Sequence, residues 1–219
     1  MTTQEAVDYF AILQDKYGSP NLIESEIVDF LNHAVNEYLN RVIPDSQGGV
    51  VNVEMDSNVL NNIAPIIFTI TENTTSGLLS NAVIDAALVT ESGDASATRL
   101  SILEVSVTDD GIKYPAKFTK YNNINAYERN YFKKSSVPDN VRYVYNGKGL
   151  QFYPTDDTVD IGLTIIKKPK VLSLSPAVNP EFSDYVMYSI IAIALQLAGV
   201  STRDEELIAS LRAISLQSK

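Results

Sequence analysis

Apolar residues recur every three or four positions in two stretches near the start of the chain, which is the period of an α-helix. The first stretch follows Thr2 and Glu5, whose spacing matches a helix capping box. The second contains the clearest apolar face in the sequence, formed by Ile27, Phe30, Leu31, Ala34, Val35, Tyr38, Leu39 and Val42. Asp56 or Ser57 then suits the N-cap of a further helix. The pattern predicts two amphipathic helices and a short third helix that reaches Ile63.

The pattern changes from Pro65 onwards, where β-branched and aromatic residues cluster in short runs such as 66–70 and 103–107. Clusters of Ser, Asn, Thr and Gly separate these runs, which is typical of strands joined by turns. Residues 71–98 are rich in small polar side chains around one apolar island at 82–89. We expect this segment to be a mobile loop or insertion.

Two further β-like runs, at 141–145 and 150–153, flank Asn146 and Gly147. A type I′ turn needs positive φ at both of its central residues, and Asn-Gly is the pair that accepts it best, so a β-hairpin is predicted here. Residues 159–166 alternate between apolar and other positions and predict a third strand. The apolar positions on one face of that strand are Ile161, Leu163 and Ile165.

The end of the sequence returns to a helical pattern. Asn179 precedes Pro180, which is favoured at the first position of a helix, and predicts a helix over 181–198 that is apolar on nearly all sides. Thr202 and Glu205 repeat the capping-box spacing ahead of a last apolar face, formed by Leu207, Ile208, Leu211 and Ile214. The sequence therefore predicts two C-terminal helices.

These elements predict an α+β protein in which N-terminal and C-terminal helices pack with a mainly antiparallel β domain. We assign residues 1–63 and 173–219 to one helical layer and residues 64–172 to the β-rich domain. With 219 residues, 45% of them hydrophobic, the chain is long enough for a sizeable core. Its longest apolar stretch is shorter than the ~20 residues that span a bilayer, and no basic region precedes an apolar stretch at the N-terminus. Neither a membrane span nor a secretory signal is expected.

Charge is distributed unevenly along the chain, whose formal net charge is −10. Residues 1–63 contain ten acidic and two basic residues, and residues 64–110 contain seven and one. Residues 111–172 reverse the balance with eleven basic and five acidic residues. If these segments occupy different faces, the protein has one acidic and one basic surface; otherwise the charges are scattered over a solvated surface.

Few residues suit catalysis or metal binding. The sequence has no cysteine, which excludes disulfides, thiolate nucleophiles and cysteine-based metal sites. His33 is the only histidine, and no partner stands at a spacing that indicates a metal site or a catalytic triad. The Asp pairs at 109–110 and 156–157 and the Gly-Lys-Gly at 147–149 are interpreted as turns, because neither a calcium loop nor a P-loop surrounds them. We expect no enzyme activity, no catalytic residue, no cofactor and no metal.

One basic stretch also has aromatic neighbours. Lys133 and Lys134 lie close in sequence to the aromatic residues Tyr121, Tyr127, Tyr131 and Phe132. Basic and aromatic side chains in alternation are typical of nucleic-acid sites, but the strongly acidic chain argues against a dedicated nucleic-acid-binding protein. The twelve tyrosines and the apolar helices instead favour surfaces that pack against other proteins.

The order of the predicted elements resembles the head-to-tail adaptor, or connector ring, proteins of short-tailed bacteriophages, most closely those of crAss-like phages. The resemblance rests on segments 114–118, 125–133, 141–154 and 168–169, and on Asn-Pro-Glu-Phe at 179–182. It extends over residues 112–219 and, more weakly, over residues 1–45. None of these motifs is catalytic.

The resemblance implies a virion structural protein that forms a ring, usually of twelve copies, between the portal protein and a further tail protein. DNA would pass through the ring without specific binding, with an acidic channel wall repelling its phosphates. The acidic N-terminal and basic central segments are candidates for the two sides of the contact between neighbouring copies. Another head-completion, tail or baseplate component, or a β-rich binding module, is the alternative.

The resemblance also implies that the C-terminal segment contacts the portal. The candidate portal-binding residues are Arg203, Leu207, Ile208, Leu211 and Ile214. The alternative is that this last helix folds back on the helix predicted at 181–198 as an ordinary antiparallel pair.

Overall fold

The computed structural model describes residues 1–16, 22–43, 57–74, 77–131, 133–137, 139–154 and 159–199. The described chain divides into two compact units. The helical unit contains the described residues of 1–44, 55–65 and 169–199, and the β unit contains those of 66–168. The predicted α+β fold class is confirmed, because helices and mainly antiparallel sheets are both present.

The described residues form six α-helices and ten β-strands. The helices are α1 (Thr3–Lys16), α2 (Glu24–Val42), α3 (Ser57–Ile63), α4 (Asn81–Ser92), α5 (Tyr121–Glu128) and α6 (Asp184–Leu197). The strands are β1 (Ile67–Thr74), β2 (Leu78–Ser80), β3 (Arg99–Asp109), β4 (Ile112–Pro115), β5 (Lys117–Phe118), β6 (Arg142–Tyr145), β7 (Gly149–Tyr153), β8 (Val159–Lys167), β9 (Ser173–Leu174) and β10 (Ala177–Val178). A short 3-10 turn, Ala64–Ile66, precedes β1.

The capping box predicted for the first helix is confirmed. The Thr2 backbone N–H donates to Glu5 Oε2 over 2.6 Å, and the Glu5 N–H donates to Thr2 Oγ1 over 3.1 Å. Each side chain thereby satisfies a backbone donor that the helix leaves unpaired. The second predicted helix is also confirmed and buries the apolar face that its sequence indicated, with Leu31 and Ala34 fully buried.

Helix α6 packs against α1 and α2 in the helical unit and buries most of its side chains. The predicted start of this helix is wrong by several residues, because its N-cap is Ser183. Asn179 is used differently: its side-chain oxygen accepts a hydrogen bond from the Thr3 backbone N–H over 3.1 Å. That contact helps to fix the segment before α6 against the start of α1.

The β unit contains two four-stranded sheets. The first sheet has the order β1-β8-β3-β4, and every neighbouring pair in it is antiparallel. The second sheet has the order β2-β7-β6-β5, and its β5–β6 pair is parallel. The strand predicted at 159–166 is therefore present as β8, but it lies between β1 and β3 in the first sheet and does not extend the predicted hairpin.

Segment 71–98 differs from the loop that its composition suggested. Strand β1 continues to Thr74, β2 joins the second sheet, and the apolar island forms α4. Ser80 caps that helix by accepting from the Val83 N–H, and Gly93 ends it with a φ of 64°. Ile84 and Leu88, four residues apart, are fully buried in the β-unit core, so the apolar island is a helix that packs into the β unit.

The predicted hairpin between β6 and β7 is confirmed, but its predicted turn type is wrong. Only Gly147 takes a positive φ, at 81°, and the Asn146 side-chain oxygen accepts hydrogen bonds from the backbone N–H groups of Lys148 and Gly149. Positive φ at both central positions occurs instead between β3 and β4, at Asp110 and Gly111.

No helix within the described ranges has both the length and the apolar character needed to cross a bilayer.

Candidate functional site

A groove with a volume of about 590 Å³ lies at the β5 edge of the second sheet, and its lining is strongly basic. Its charged residues are Lys117, Lys133, Lys134 and Arg142. Its neutral residues are Tyr131, Ser135, Ser136 and Asn140. No carboxylate belongs to this described lining, so an anion in the groove would meet positive charge and hydrogen-bond donors.

The parallel pairing of β5 with β6 creates the charged floor of the groove. Lys117 is the register partner of Arg142, and Phe118 is the partner of Tyr143. Side chains of paired residues lie on the same face of a sheet, so the first pair brings two cations side by side. Tyr143 contacts the rings of Phe118 and Phe152 in the core, and its burial raises the pKa of its hydroxyl well above the usual value.

Tyr127 of helix α5 places its ring against two of the groove cations, Arg142 and Lys133. The Arg142 guanidinium lies 4.2 Å from the centre of the Tyr127 ring, and Lys133 Nζ lies 6.0 Å from the same ring centre. Both distances are within the range of cation–π attraction. Arg142 Nη1 also donates to Thr119 Oγ1 over 3.3 Å. Its Nε is buried and has no hydrogen-bond partner among the described residues.

The loop that carries Lys133 and Lys134 is held by backbone contacts. Asn140 donates from its side-chain nitrogen to the carbonyls of Lys133 and Lys134, over 3.3 and 2.8 Å, and accepts from Lys117 Nζ over 3.2 Å. Reciprocal backbone hydrogen bonds between Ser136 and Asn140 close the loop. These hydrogen bonds hold the backbone of the loop in place, and the side chains of Lys133 and Lys134 are exposed.

Glu128 is the acidic residue that ends α5, and its side chain is already used within this loop. Its Oε1 accepts hydrogen bonds from both the backbone N–H and the hydroxyl of Ser135, a residue that is 4% exposed. This carboxylate stabilises the loop and is absent from the groove lining. Over residues 113–148 the sequence has eight basic and two acidic residues, so this part of the β unit is the most basic region of the chain.

The helical unit has the opposite character. Exposed carboxylates line the outer faces of its first two helices: Glu5, Asp8, Asp15, Glu24, Glu26 and Asp29. Two large apolar side chains lie among them, because Ile12 and Ile23 are each 65% exposed. The acidic faces of the first two helices and the basic region 113–148 therefore lie on different units, whereas most of the acidic segment 64–110 lies in the β unit with the basic region.

The residues considered for catalysis or metal binding are separated in the structure. His33 is exposed on α2. Asp109 ends β3 and Asp110 forms the following turn, as predicted, whereas the pair at 156–157 lies outside the described residues. Among the residues that the structure describes, no group of three or more His, Asp or Glu side chains is arranged to hold a metal ion.

The candidate portal-binding residues lie outside the described part of the chain: Arg203, Leu207, Ile208, Leu211 and Ile214. The structure consequently bears on neither their docking role nor the alternative helix pair. The same holds for Phe132 in the basic and aromatic stretch.

Sequence reasoning found one half of the groove and missed the other. The adjacent Lys133 and Lys134 and the nearby Tyr127 were recognisable as a basic and aromatic pattern. Lys117 and Arg142 were missed, because they are 25 positions apart in the sequence and meet only through the parallel pairing of β5 with β6. A two-residue strand has no periodic signal that could have revealed this pairing.

Comparison of the sequence with models of known protein families and with curated proteins gave no match.

Proposed function

We propose that this protein is a virion structural protein that forms an adaptor ring, joining a phage portal to the tail and extending the DNA channel. One observation carries the proposal: the helical unit exposes acidic helix faces, whereas the β unit concentrates cations around residues 113–148. A ring forms by head-to-tail contacts, which join two different surfaces of the same chain. Unlike charges on the two surfaces favour that arrangement over like-to-like pairing.

The acidic surface also has the composition of an interface. Ile12 lies on α1 between Asp8 and Asp15, which are four residues before it and three residues after it. Residues at these separations share one face of a helix, so a large apolar side chain is flanked by charge. An apolar centre with a polar rim is typical of surfaces that are covered by another protein. Ile23, immediately before α2, extends the apolar character.

The remaining parts of the proposal follow from the resemblance to adaptor proteins. The ring contains twelve copies, contacts the portal on one side and a tail protein on the other, and has no enzymatic role or cofactor. The C-terminal residues from Arg203 onwards dock on the portal. Deleting residues 203–219 tests this contact: the shortened protein should keep its melting temperature and lose its place in portal-containing particles. A loss of folding would instead assign the segment to the core.

The assembly surface is tested by sedimentation velocity and negative-stain electron microscopy of three proteins: the wild type, Ile12→Ser and Ala11→Ser. Ala11 is exposed on the same helix but presents little apolar area, so it is the matched control. The wild type and the control should form rings, and Ile12→Ser should shift the population towards smaller species. Exposed ion pairs are screened over about 10 Å at 0.1 M salt, so the rings should also loosen as salt rises. Identical assembly by all three proteins at all salt concentrations would refute this surface.

A further inference from the structure

We infer that the basic groove binds the sugar–phosphate backbone of a nucleic acid. The residues that contact the phosphates are Lys117, Lys133, Lys134 and Arg142. This inference goes beyond the proposed ring, because the groove lies within one unit of a single chain and needs no second copy to be complete.

The positive charge on the groove floor is not neutralised by any carboxylate of the described lining. Lys117 and Arg142 are direct register partners, and like charges in that position repel each other. Within the described chain the two side chains contact neutral groups: Asn140 for the lysine, and Thr119 and the Tyr127 ring for the arginine. The repulsion between these two cations opposes folding, and no carboxylate offsets it. Such a pair is expected where an anionic ligand supplies the missing negative charge.

The composition of the groove lining distinguishes a phosphate ligand from a protein carboxylate. The centre of a protein interface is depleted in lysine and uses buried aromatic or aliphatic anchors. Here three of the four cations are lysines, and the described lining has no aliphatic side chain. Serine, asparagine, lysine and arginine are the side chains that contact nucleic-acid phosphates. The composition of the groove therefore fits a phosphodiester chain, and the ring contact with the acidic helix faces uses the cations of this region that lie outside the groove lining: Lys113, Lys120, Arg129 and Lys148.

Tyr131 lies at the rim of the groove and is 89% exposed. A tyrosine ring beside a row of cations suits an unpaired base, which can stack on it while the backbone follows the charges. In a duplex the bases are already stacked on one another, so the ring of Tyr131 gives no comparable stacking there. Single-stranded and duplex nucleic acid share the backbone chemistry, and their response to a change at Tyr131 separates them.

The net charge of the whole chain does not prevent this contact. Charges more than about 10 Å apart are largely screened at 0.1 M salt, so the local balance decides the potential in the groove. The balance of charges over residues 113–148 is positive. Glu128 is the one carboxylate of α5, and it accepts a hydrogen bond from the hydroxyl of Ser135. Binding should consequently be independent of base sequence and strongly dependent on salt.

The experiment is fluorescence anisotropy of a labelled oligonucleotide, as a single strand and as a duplex, titrated with the full-length protein at several salt concentrations. Four phosphate contacts predict a slope of log K against log salt of about −3.6 for the duplex and about −2.8 for the single strand. The double variant Lys133→Gln/Lys134→Gln should reduce the duplex slope by about 1.8. Lys148→Gln is the matched control, because this exposed lysine of the β6–β7 turn is outside the groove lining.

Lys148→Gln removes one charge and the double variant removes two, so a change in slope of about 0.9 in the control would overturn the inference, since binding would then reflect diffuse charge. Unchanged affinity in the double variant would also overturn it. Lys133 and Lys134 are exposed, so the variants should fold, and an unchanged melting temperature verifies this. Lys117→Gln supplies an independent third test on the groove floor. If Tyr131→Leu lowers the affinity for the single strand alone, unpaired strands are the ligand. If it lowers the affinity for both probes equally, the contact is with the backbone alone.

A protein partner is tested in the same assay with a polyglutamate peptide as competitor. If the double variant prevents ring formation and polyglutamate displaces the oligonucleotide at equal charge concentration, the groove is a contact between copies and the inference is wrong. Nucleic-acid binding by a protein that forms no ring would reject the proposed function and leave the groove inference intact. A ring that binds no oligonucleotide would do the reverse.

Discussion

Lys117 lies directly beside Arg142, because β5 and β6 run parallel and these two residues are register partners. The pair places two positive charges on one face of the sheet at the edge of the groove. Arg142 is further fixed by the ring of Tyr127, whose centre is 4.2 Å from the guanidinium carbon. Two like charges that their surroundings hold side by side lower the free energy of unfolding. Such a pair indicates a site that binds an anion.

Replacing Lys117 by Gln should therefore stabilise the free protein. Relief of the repulsion is worth about 0.5 kcal/mol in the free energy of unfolding at low salt, and less as salt rises. Thermal melting measures the change. The same variant should bind oligonucleotides less tightly, whereas Lys148→Gln should alter neither property. A destabilised Lys117→Gln protein would mean that the lysine contributes more through its contact with Asn140 than it costs through repulsion.

The sequence predicted the fold well where a buried face repeats with a regular period. The apolar faces of α2 and α6 predicted helices because each runs for several turns, and Ile161, Leu163 and Ile165 correctly indicated a buried strand face. The sequence could not show which sheet that strand joins. Its pairing with β1 and β3 is determined by partners more than fifty residues away along the chain, and these leave no local signal.

Lys167 and Asp94 form a buried ion pair in the β unit, with 3.4 Å between Nζ and Oδ2. The lysine side chain is 2% exposed and the aspartate side chain 11% exposed. Asp94→Asn should lower the free energy of unfolding by about 3 kcal/mol, because a buried cation would lose its counter-charge. Urea denaturation measures this change.

The double variant Asp94→Asn/Lys167→Met separates charge from packing at this position. Removing both charges together should restore most of the lost stability, because no uncompensated ion remains. A double variant as unstable as Asp94→Asn would show instead that the hydrogen bonds of Asp94 to the backbone and hydroxyl of Ser96 dominate.

Gly149 is needed for the close approach of β2 to β7. A Cβ at this position would lie 2.1 Å from the Leu79 carbonyl oxygen, a backbone atom that cannot rotate away. Gly149→Ala should lower the free energy of unfolding by about 3 kcal/mol. Gly147→Ala is the matched control in the same turn: nothing lies within 4 Å of its Cβ, and only its positive φ of 81° costs stability, by about 1 kcal/mol. Equal effects would show that β2 shifts at little cost.

The turn between β6 and β7 also explains an error in the sequence reasoning. Asn146-Gly147 is the strongest short signal for a type I′ hairpin, yet Asn146 keeps a negative φ and its side chain accepts two backbone N–H groups. Gly149, which the turn rule ignores, is the residue that the neighbouring strand constrains. Hydrogen bonds within the turn, together with those that Asn81 donates to the carbonyl oxygens of Gly147 and Lys148, thus accompany a conformation that the dipeptide rule does not describe.

Ile190 lies fully buried on α6, next to the exposed Ser189. Ile190→Asp would place an unpaired charge in the core of the helical unit, which should prevent folding and give insoluble protein. Ser189→Asp adds the same charge one position earlier on the outer face and should fold normally. Soluble expression and circular dichroism compare the two. A folded Ile190→Asp protein that only fails to assemble would assign this face of α6 to an interface.

The central claim is that copies of this chain close into a ring through unlike surfaces, and native mass spectrometry of the purified protein tests it most directly. The account predicts one dominant closed assembly, of twelve copies of the 24.1 kDa chain, at low salt, with smaller species appearing as salt rises. A monomer, or a dimer that grows no further at any protein concentration, would contradict it.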